Sequence, residues 1–289
     1  MWPAVCLTHL FASRTSIRGA NQGGLNAEDK MFSLGFLSTV ALLWVTPSRA
    51  AEIVGGKEVK PHSLPYMALL VSSKPYCGGV LIHPQWVLTA AHCNETKSVW
   101  LGVHAIDKSE TAYRQIRNVQ IKVPHPRYDR KTKVNDLMLL KLDKPVKKTK
   151  TVRSFKVPKK AKDPKAGSRC TVAGWGWLSA ETKRMSNVLM SAAVTVIDRR
   201  TCNSADYYNR RPVITGGMIC AGSKGQKVAG TCKGDSGGPL VCKGDLVGIT
   251  AFGSMPCGLL KGPGVYSFLS AEHLKWIGQS IGGNEMQHP

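Results

Sequence analysis

Thr231-Cys232-Lys233-Gly234-Asp235-Ser236-Gly237-Gly238-Pro239-Leu240 sets one serine among three glycines, directly after an aspartate and just before an apolar run, Pro239-Leu240-Val241-Cys242. Glycine reaches backbone angles that a Cβ forbids, so the stretch reads as a tight loop with free amides leading into a buried strand. Such a loop can present a hydroxyl and, beside it, N–H groups that stabilise a developing oxyanion. Taken alone, it reads as a Gly-Ser turn between strands. The rest of the chain decides between the two.

Outward from this loop the texture is short apolar runs separated by Gly, Pro and polar turns: Tyr66–Val71, Gly79–Ile82, Trp86–Leu88, Asp136–Leu142, Thr171–Ala173, Val194–Ile197 and Val247–Thr250. These are too short for ordinary helices and rich in β-branched residues, so they are expected as strands. One amphipathic helix is expected, Ser270–Ile281, with Leu274, Ile277 and Ile281 on one face and Gly282-Gly283 as its end. The fold class is therefore all-β with a C-terminal helix. Between the strand-rich halves, Lys141–Arg169 carries twelve basic residues against Asp143 and Asp163. Pro145, Pro158 and Pro164 forbid a long regular element there, so it reads as an extended surface connection between two barrels. A solvated linker and a polyanion-binding stripe fit it equally well.

The 289 residues hold 40 Lys and Arg against 18 Asp and Glu, a formal charge of +22 that favours polyanionic partners and says nothing about fold. Leu34–Val45 is apolar but too short to span a bilayer, and it ends at Ser48-Arg49-Ala50, small residues where a signal peptidase reads. Residues 31–50 are expected as a signal peptide, with 1–30 an upstream extension. Losing 1–52 leaves 36 basic and 15 acidic residues, so the basicity belongs to the mature chain. Cys6 leaves with the discarded part, and eight cysteines remain for an oxidising compartment.

Three distant segments each supply a polar group that fits badly as structure. Trp86-Val87-Leu88-Thr89-Ala90-Ala91-His92-Cys93 runs an apolar strand into a histidine pinned beside a cysteine. Asn135-Asp136-Leu137-Met138-Leu139-Leu140 opens an apolar strand with an aspartate whose burial would demand a partner. The third group is Ser236. Together they define one chemistry: the histidine takes the serine proton, the aspartate fixes the imidazole tautomer, and loop amides hold the oxyanion.

Ile53-Val54-Gly55-Gly56, Thr89-Ala90-Ala91-His92-Cys93, Asp136-Leu137-Met138-Leu139-Leu140, Gly174-Trp175-Gly176 and Gly234-Asp235-Ser236-Gly237-Gly238-Pro239 stand in the order of the chymotrypsin-like serine proteases, which the chain resembles from Ile53 to about Ile281. That resemblance implies two six-stranded antiparallel Greek-key barrels, about 53–150 and 166–269, with the active site between them and the helix at 270–281. It implies His92 as general base, Asp136 as its orienting carboxylate, Ser236 as nucleophile, and the amides of Gly234 and Ser236 as oxyanion hole. Ile53 would be the mature N-terminus, its ammonium paired with Asp235. Implied disulfides are Cys77–Cys93, Cys170–Cys242, Cys202–Cys220 and Cys232–Cys257. With no cysteine left over, a monomer is expected; no cofactor and no metal is implied.

Ala51-Glu52 precedes Ile53 where a trypsin-like activator would need Lys or Arg. The dipeptide resembles the propeptide that a dipeptidyl peptidase removes from granzymes and other granule proteases. Gly56-Lys57-Glu58-Val59, Pro61-His62-Ser63, Cys202-Asn203-Ser204 and Tyr207-Tyr208-Asn209 resemble the granzyme subgroup, members K and A most. Secretion or granule storage, protein substrates, serpin-type inhibitors and sulfated proteoglycan are the corresponding expectations.

Two positions depart from that subgroup. Where its tryptic members carry a pocket-floor Asp, this chain has Gly230, followed by Thr231. A buried cation without a counter-charge costs several kcal/mol, so a neutral pocket is expected, walled by Gly253 and Gly264 and taking Leu, Met, Phe or Tyr. Lys233 at its rim reads as solvated. Ala251 stands where the family places a serine that helps to hold the triad aspartate, so reduced activity or a substitute donor is expected. Asn94-Glu95-Thr96 is a sequon in a surface loop and offers Asn94 for glycosylation. The alternatives to a neutral-pocket endopeptidase are an enzyme cleaving after Arg or Lys, and a basic glycosaminoglycan- or microbe-binding protein on a protease scaffold.

Overall fold

The computed structural model describes residues 55–285, except Thr182 and 224–227; side chains at 108–110 and 283–285 are also left aside. The leader, Ala51-Glu52 and Ile53 lie outside the described residues.

Six strands close a first barrel: β2 (Met67–Val71), β3 (Pro75–His83), β4 (Trp86–Thr89), β5 (Ser98–Leu101), β6 (Gln115–Pro124) and β7 (Met138–Leu142). Their hydrogen-bonded order is β2-β3-β4-β7-β6-β5, and β5 pairs back onto β2. Strands β2 and β7 are buried throughout, the mark of a closed barrel whose outer face is also covered. β6 alternates partly buried and exposed residues over its ten positions, the half-solvated version of the same element.

The second barrel takes β8 (Arg169–Gly174), β9 (Met190–Ile197), β10 (Met218–Gly222), β11 (Pro239–Cys242), β12 (Asp245–Gly253) and β13 (Gly264–Phe268). Its order is β9-β10-β13-β12-β11-β8, closed by the β8–β9 pairing. The short β1 (Lys57–Glu58) adds to β9 through Lys57↔Ser191, so the start of the first half belongs to the second sheet. Val59 explains that placement: it is buried with Met67, Leu69 and Val103 of the first half and Ala173, Trp175 and Leu189 of the second, in the apolar seam between barrels.

The connection from 143 to 168 has no strand or helix, as its prolines require, and is anchored by buried Val152 and by Phe155 stacked edge-on against Tyr66 at 4.6 Å. Lys141 is not part of its basic surface: it is buried, with Nζ 5.9 Å from the Trp86 ring centre. A one-turn helix, α1 (Arg199–Cys202), is capped by the Asp198 carboxylate. The C-terminal helix α2 (Ala271–Glu285) packs Leu274, Trp276, Ile277 and Ile281 against the first barrel's core. It begins where expected but runs through Gly282-Gly283. A glycine stops a helix by turning left-handed, and the packing of Ile281 one residue earlier carries the helix past that point.

Disulfides join Cys77 to Cys93, Cys170 to Cys242, Cys202 to Cys220, and Cys232 to Cys257. Both barrels lie in one compact unit.

Candidate active site

The end of β4 and the start of β7 bring the first two groups together. These strands pair as Thr89↔Met138, so the residues leaving β4 run alongside those entering β7. Ala90 and Ala91 are small and buried, which lets His92 reach the buried Asp136. Imidazole Nδ1 lies 2.6 Å from Asp136 Oδ2, and the His92 amide donates to Oδ1 at 3.0 Å. Asp136 is fully buried while the His92 side chain is 25% exposed. A buried carboxylate bound to Nδ1 fixes one tautomer and leaves Nε2 as the ring's basic edge.

Asn135, just ahead of Asp136, sits at φ 55°, a left-handed angle that asparagine tolerates better than most residues. Its side chain donates to the Arg127 carbonyl and meets His273 Nε2 of α2 at 3.0 Å. The C-terminal helix therefore braces the loop that carries Asp136. The pattern of α2 gave no hint of this, because His273 falls outside its apolar triad.

The glycine loop is clamped between the barrels. Gly78 of β3 donates to the Ser236 carbonyl at 2.7 Å, and the Gly237 amide donates to Thr250 of β12 at 2.8 Å. Gly237 has φ +80°, and a Cβ there would fall 2.1 Å from Thr89 Oγ1 and 2.3 Å from the Gly78 carbonyl. Glycine is thus required on both conformational and steric grounds to seat Ser236 against the first barrel. Among the described residues the amides of Gly234 and Ser236 have no protein acceptor, while those of Asp235, Gly237 and Gly238 are all bonded within the fold. Two neighbouring free amides are an arrangement suited to an oxyanion.

His92 and Ser236 line one cleft of about 390 Å³ together with Thr231, Lys233, Ala251 and Gly253. No hydrogen bond joins the serine hydroxyl to the imidazole in this state. Phe252, Met255 and Lys133 also line the cleft, and none was singled out from the sequence. Phe252 stands in sequence between Ala251 and Gly253, both of which line the cleft. Gly264 lies one strand behind Gly253, its register partner on β13, and is walled off from deeper space by Tyr266 Oη and Thr231 Oγ1. Gly230, expected at the pocket floor, is not among the residues lining the cleft, and a Cβ added there meets nothing within 4 Å.

Asp235 points away from the cleft. It is fully buried, accepting the Gly176 amide at 2.8 Å and the Cys232 amide at 2.9 Å. Its carboxylate fills the space that side chains at Gly174 and Gly176 would occupy, which is the physical content of the Gly-Trp-Gly motif. Burial pushes its pKa up to about 6, against the pull of those two amides.

Asp136 accepts its hydrogen bonds, among the described residues, from His92 alone, although an ionised carboxylate has about four acceptor positions. The hydroxyl that does reach Asp136, Ser267 Oγ, donates to its backbone carbonyl at 3.1 Å and not to the carboxylate. Buried Ala251, lining the cleft, adds no donor. Ala251→Ser is therefore expected to raise kcat by roughly three- to tenfold, the net worth of one ordinary hydrogen bond. Steady-state kinetics on a peptide substrate checks this, and an unchanged kcat counts against it.

Cys77, Cys93 and His92 stand close enough to share a metal ion, but both sulfurs are spent in the disulfide. Asn94 is exposed, as a glycosylation acceptor must be.

Over residues 53–277 the chain matches the family model described as Trypsin. It is 41% identical to granzyme A of Bos taurus over 258 residues, which cover 87% of this chain and 98% of that protein. It is 41% identical to granzyme M of Rattus norvegicus over 85% of this chain and 96% of that one, and 41% identical to human kallikrein-8 over 86% and 94%. Among solved structures it resembles neuropsin, a serine protease expressed in the limbic system of mouse brain. The TM-score is 0.70 and the identity 37%, covering 78% of this chain and 98% of that one.

Proposed function

This chain belongs to the trypsin family of serine endopeptidases, and on that premise we propose that Ser236 attacks the scissile carbonyl, His92 moves the protons and Asp136 holds the imidazole. The observation that carries the reading is the 2.6 Å contact between His92 Nδ1 and buried Asp136 at a cleft that also presents Ser236. As substrate fills the cleft, the serine side chain turns to His92 Nε2 and gives up its proton while Oγ bonds to carbon. The negative charge on the former carbonyl oxygen falls to the Gly234 and Ser236 amides, each worth about 3 kcal/mol in such a role. His92 then protonates the leaving amine as the C–N bond breaks, and water repeats the sequence to release the acid. Labelling by a fluorophosphonate after removal of residues 1–52 tests this. A folded, processed sample whose Ser236 stays inert favours the binding-protein reading.

The pocket is proposed to take neutral side chains. Thr231, Phe252, Gly253 and Met255 supply its lining, and no carboxylate is among the cleft residues. A substrate library that is cut equally well after Arg and Phe overturns the assignment.

Activation is proposed to follow removal of Ala51-Glu52, which frees the Ile53 ammonium for Asp235. In the form that keeps the dipeptide, the raised Asp235 pKa means that the folded state holds a proton the unfolded chain has lost. Stability therefore falls as pH rises from about 4 through about 6, by up to about 3 kcal/mol. In the form beginning at Ile53, an ammonium beside the carboxylate lowers that pKa and removes the fall. Urea midpoints of both forms between pH 4 and 7, measured with Ser236→Ala to prevent self-cleavage, should diverge, and superimposable profiles count against the pairing.

The exposed lysines of the 143–168 connection support binding to sulfated proteoglycan, weakening with salt. Protein substrates, serpin-type inhibitors, a dipeptidyl peptidase activator, and secretion or granule storage complete the proposal. No described helix is long and apolar enough to cross a membrane.

A further inference from the structure

Beside the cleft lies a second groove, of about 510 Å³, whose walls come from two loops distant in sequence: Lys131, Thr132 and Val134 ahead of Asp136, and Arg210 to Val213 after α1. Its floor is apolar, with Val134, Pro212 and a Val213 that is 43% exposed. Its rim is cationic, with Lys131, Arg210 and Arg211 all exposed. Lys133, in the same short loop, faces the catalytic cleft instead, so one loop forms the partition between groove and cleft.

Only Lys131 of the rim has an acid beside it: Asp129, in the same loop, accepts the Lys131 and Thr132 amides at Oδ1 and its charge acts on Lys131, which leaves the two arginines as the uncompensated cations. Asp206, on the other loop, pairs with Lys261 at 3.0 Å. Among the described residues Arg210 and Arg211 have no carboxylate partner. Both loops hold non-glycine residues at left-handed angles, Lys133 at φ 60°, Asn209 at 46° and Arg210 at 56°. Such angles cost about 1 kcal/mol each and persist where the surrounding structure fixes a functional geometry.

The groove continues the cleft on a definite side. Phe252, in the cleft lining, stacks edge-on against Tyr208 at 5.8 Å, and Val134 packs on the same buried cluster as both. Tyr208 leads directly into Asn209–Arg211. Gly78 and the Cys77–Cys93 disulfide adjoin Ser236 itself, through the Gly78 amide on the Ser236 carbonyl. A peptide with one side chain in the pocket beside Gly253 and its neighbouring residues running past Phe252 reaches the basic groove.

We propose that the Lys131–Lys133 and Arg210–Arg211 loops form a subsite selecting acidic residues two to four positions before the scissile bond. Glutamate suits it best, because its methylenes lie on the apolar floor while its carboxylate meets the rim. The proposal rests on the hydrolytic reading of Ser236 and deepens it from a neutral primary pocket to an extended basic subsite that selects acidic residues.

The test uses the processed enzyme and three fluorogenic peptides that differ only in having Glu, Gln or Lys at those upstream positions. Wild type is expected to favour Glu over Gln by roughly fivefold and to disfavour Lys, the scale of a few partly exposed ion pairs. High salt should shrink the preference. Lys131→Gln with Arg210→Gln and Arg211→Gln should bring the Glu-to-Gln ratio of kcat/KM to about one, and fluorophosphonate labelling of each form confirms that its Ser236 still reacts. A labelled wild type with a ratio near one overturns the subsite alone. If the wild-type ratio is near one and the triple variant loses affinity for immobilised heparin, the groove is a sulfated-glycan surface and the substrate assignment falls. Unlabelled wild type overturns the hydrolytic reading and this one with it.

Discussion

Ser236→Ala is expected to lower kcat/KM by about 10⁴- to 10⁶-fold, chiefly through kcat, because the proposed nucleophile is lost while binding surface is kept. The variant should fold normally. Among the described residues the serine hydroxyl makes no hydrogen bond to the framework, and its backbone carbonyl, which accepts from Gly78, is unchanged by the substitution. Adding His92→Ala should cost little more, since serine and histidine act as one unit and removing either removes the acyl-enzyme route. A multiplicative loss in the double variant would mean that the imidazole works independently of Ser236. Single-turnover kinetics with an ester substrate, together with thermal melts of each variant, separates these outcomes. An Ser236→Ala enzyme retaining a tenth of wild-type activity would sink the mechanism.

Much of this site could be read from the chain because its parts are local. Ser236 and its glycines, His92 beside Cys93, and Asp136 at the head of an apolar strand each carry a short-range signature. The same holds for the strands: apolar runs bounded by Gly and Pro mark their centres, although β3 and β12 extend beyond the runs that announced them. What could not be read depends on tertiary neighbours. Nothing near Gly174 or Gly176 says that the space above them belongs to a carboxylate about sixty residues later. Nothing in α2 says that His273 will brace Asn135. The basic groove is the clearest case, since Lys131 and Arg210 look like two solvated turns until the barrels set their loops side by side. β6 breaks the pattern only at its start: Val119-Gln120-Ile121-Lys122-Val123 alternates cleanly, but ahead of it the order reverses, with Ile116 exposed and Arg117 turned inward.

Gly230→Asp tests the pocket most directly and should produce the second-largest effect. The position has room: a Cβ there meets no atom within 4 Å, and the angle is not one that demands glycine. The polar groups around the neighbouring pocket wall are the Thr231 hydroxyl and the Tyr266 phenol, which meet at Gly264, and burial keeps the phenol neutral far above its ordinary range. Neither offers a charge, so the wild-type pocket has nothing to offset the lost hydration of a guanidinium or ammonium. A carboxylate at 230 supplies that partner and penalises apolar side chains by leaving itself buried and unpaired when they bind. Both effects act in the same direction, so the Arg-to-Phe ratio of kcat/KM should rise by about 10²- to 10³-fold, as several kcal/mol of charge pairing implies. The same variant should label with a fluorophosphonate at close to the wild-type rate, since Ser236 and His92 are untouched. A wild-type enzyme that already prefers Arg, with a ratio that Gly230→Asp barely changes, would place a counter-charge elsewhere and return the chain to tryptic specificity.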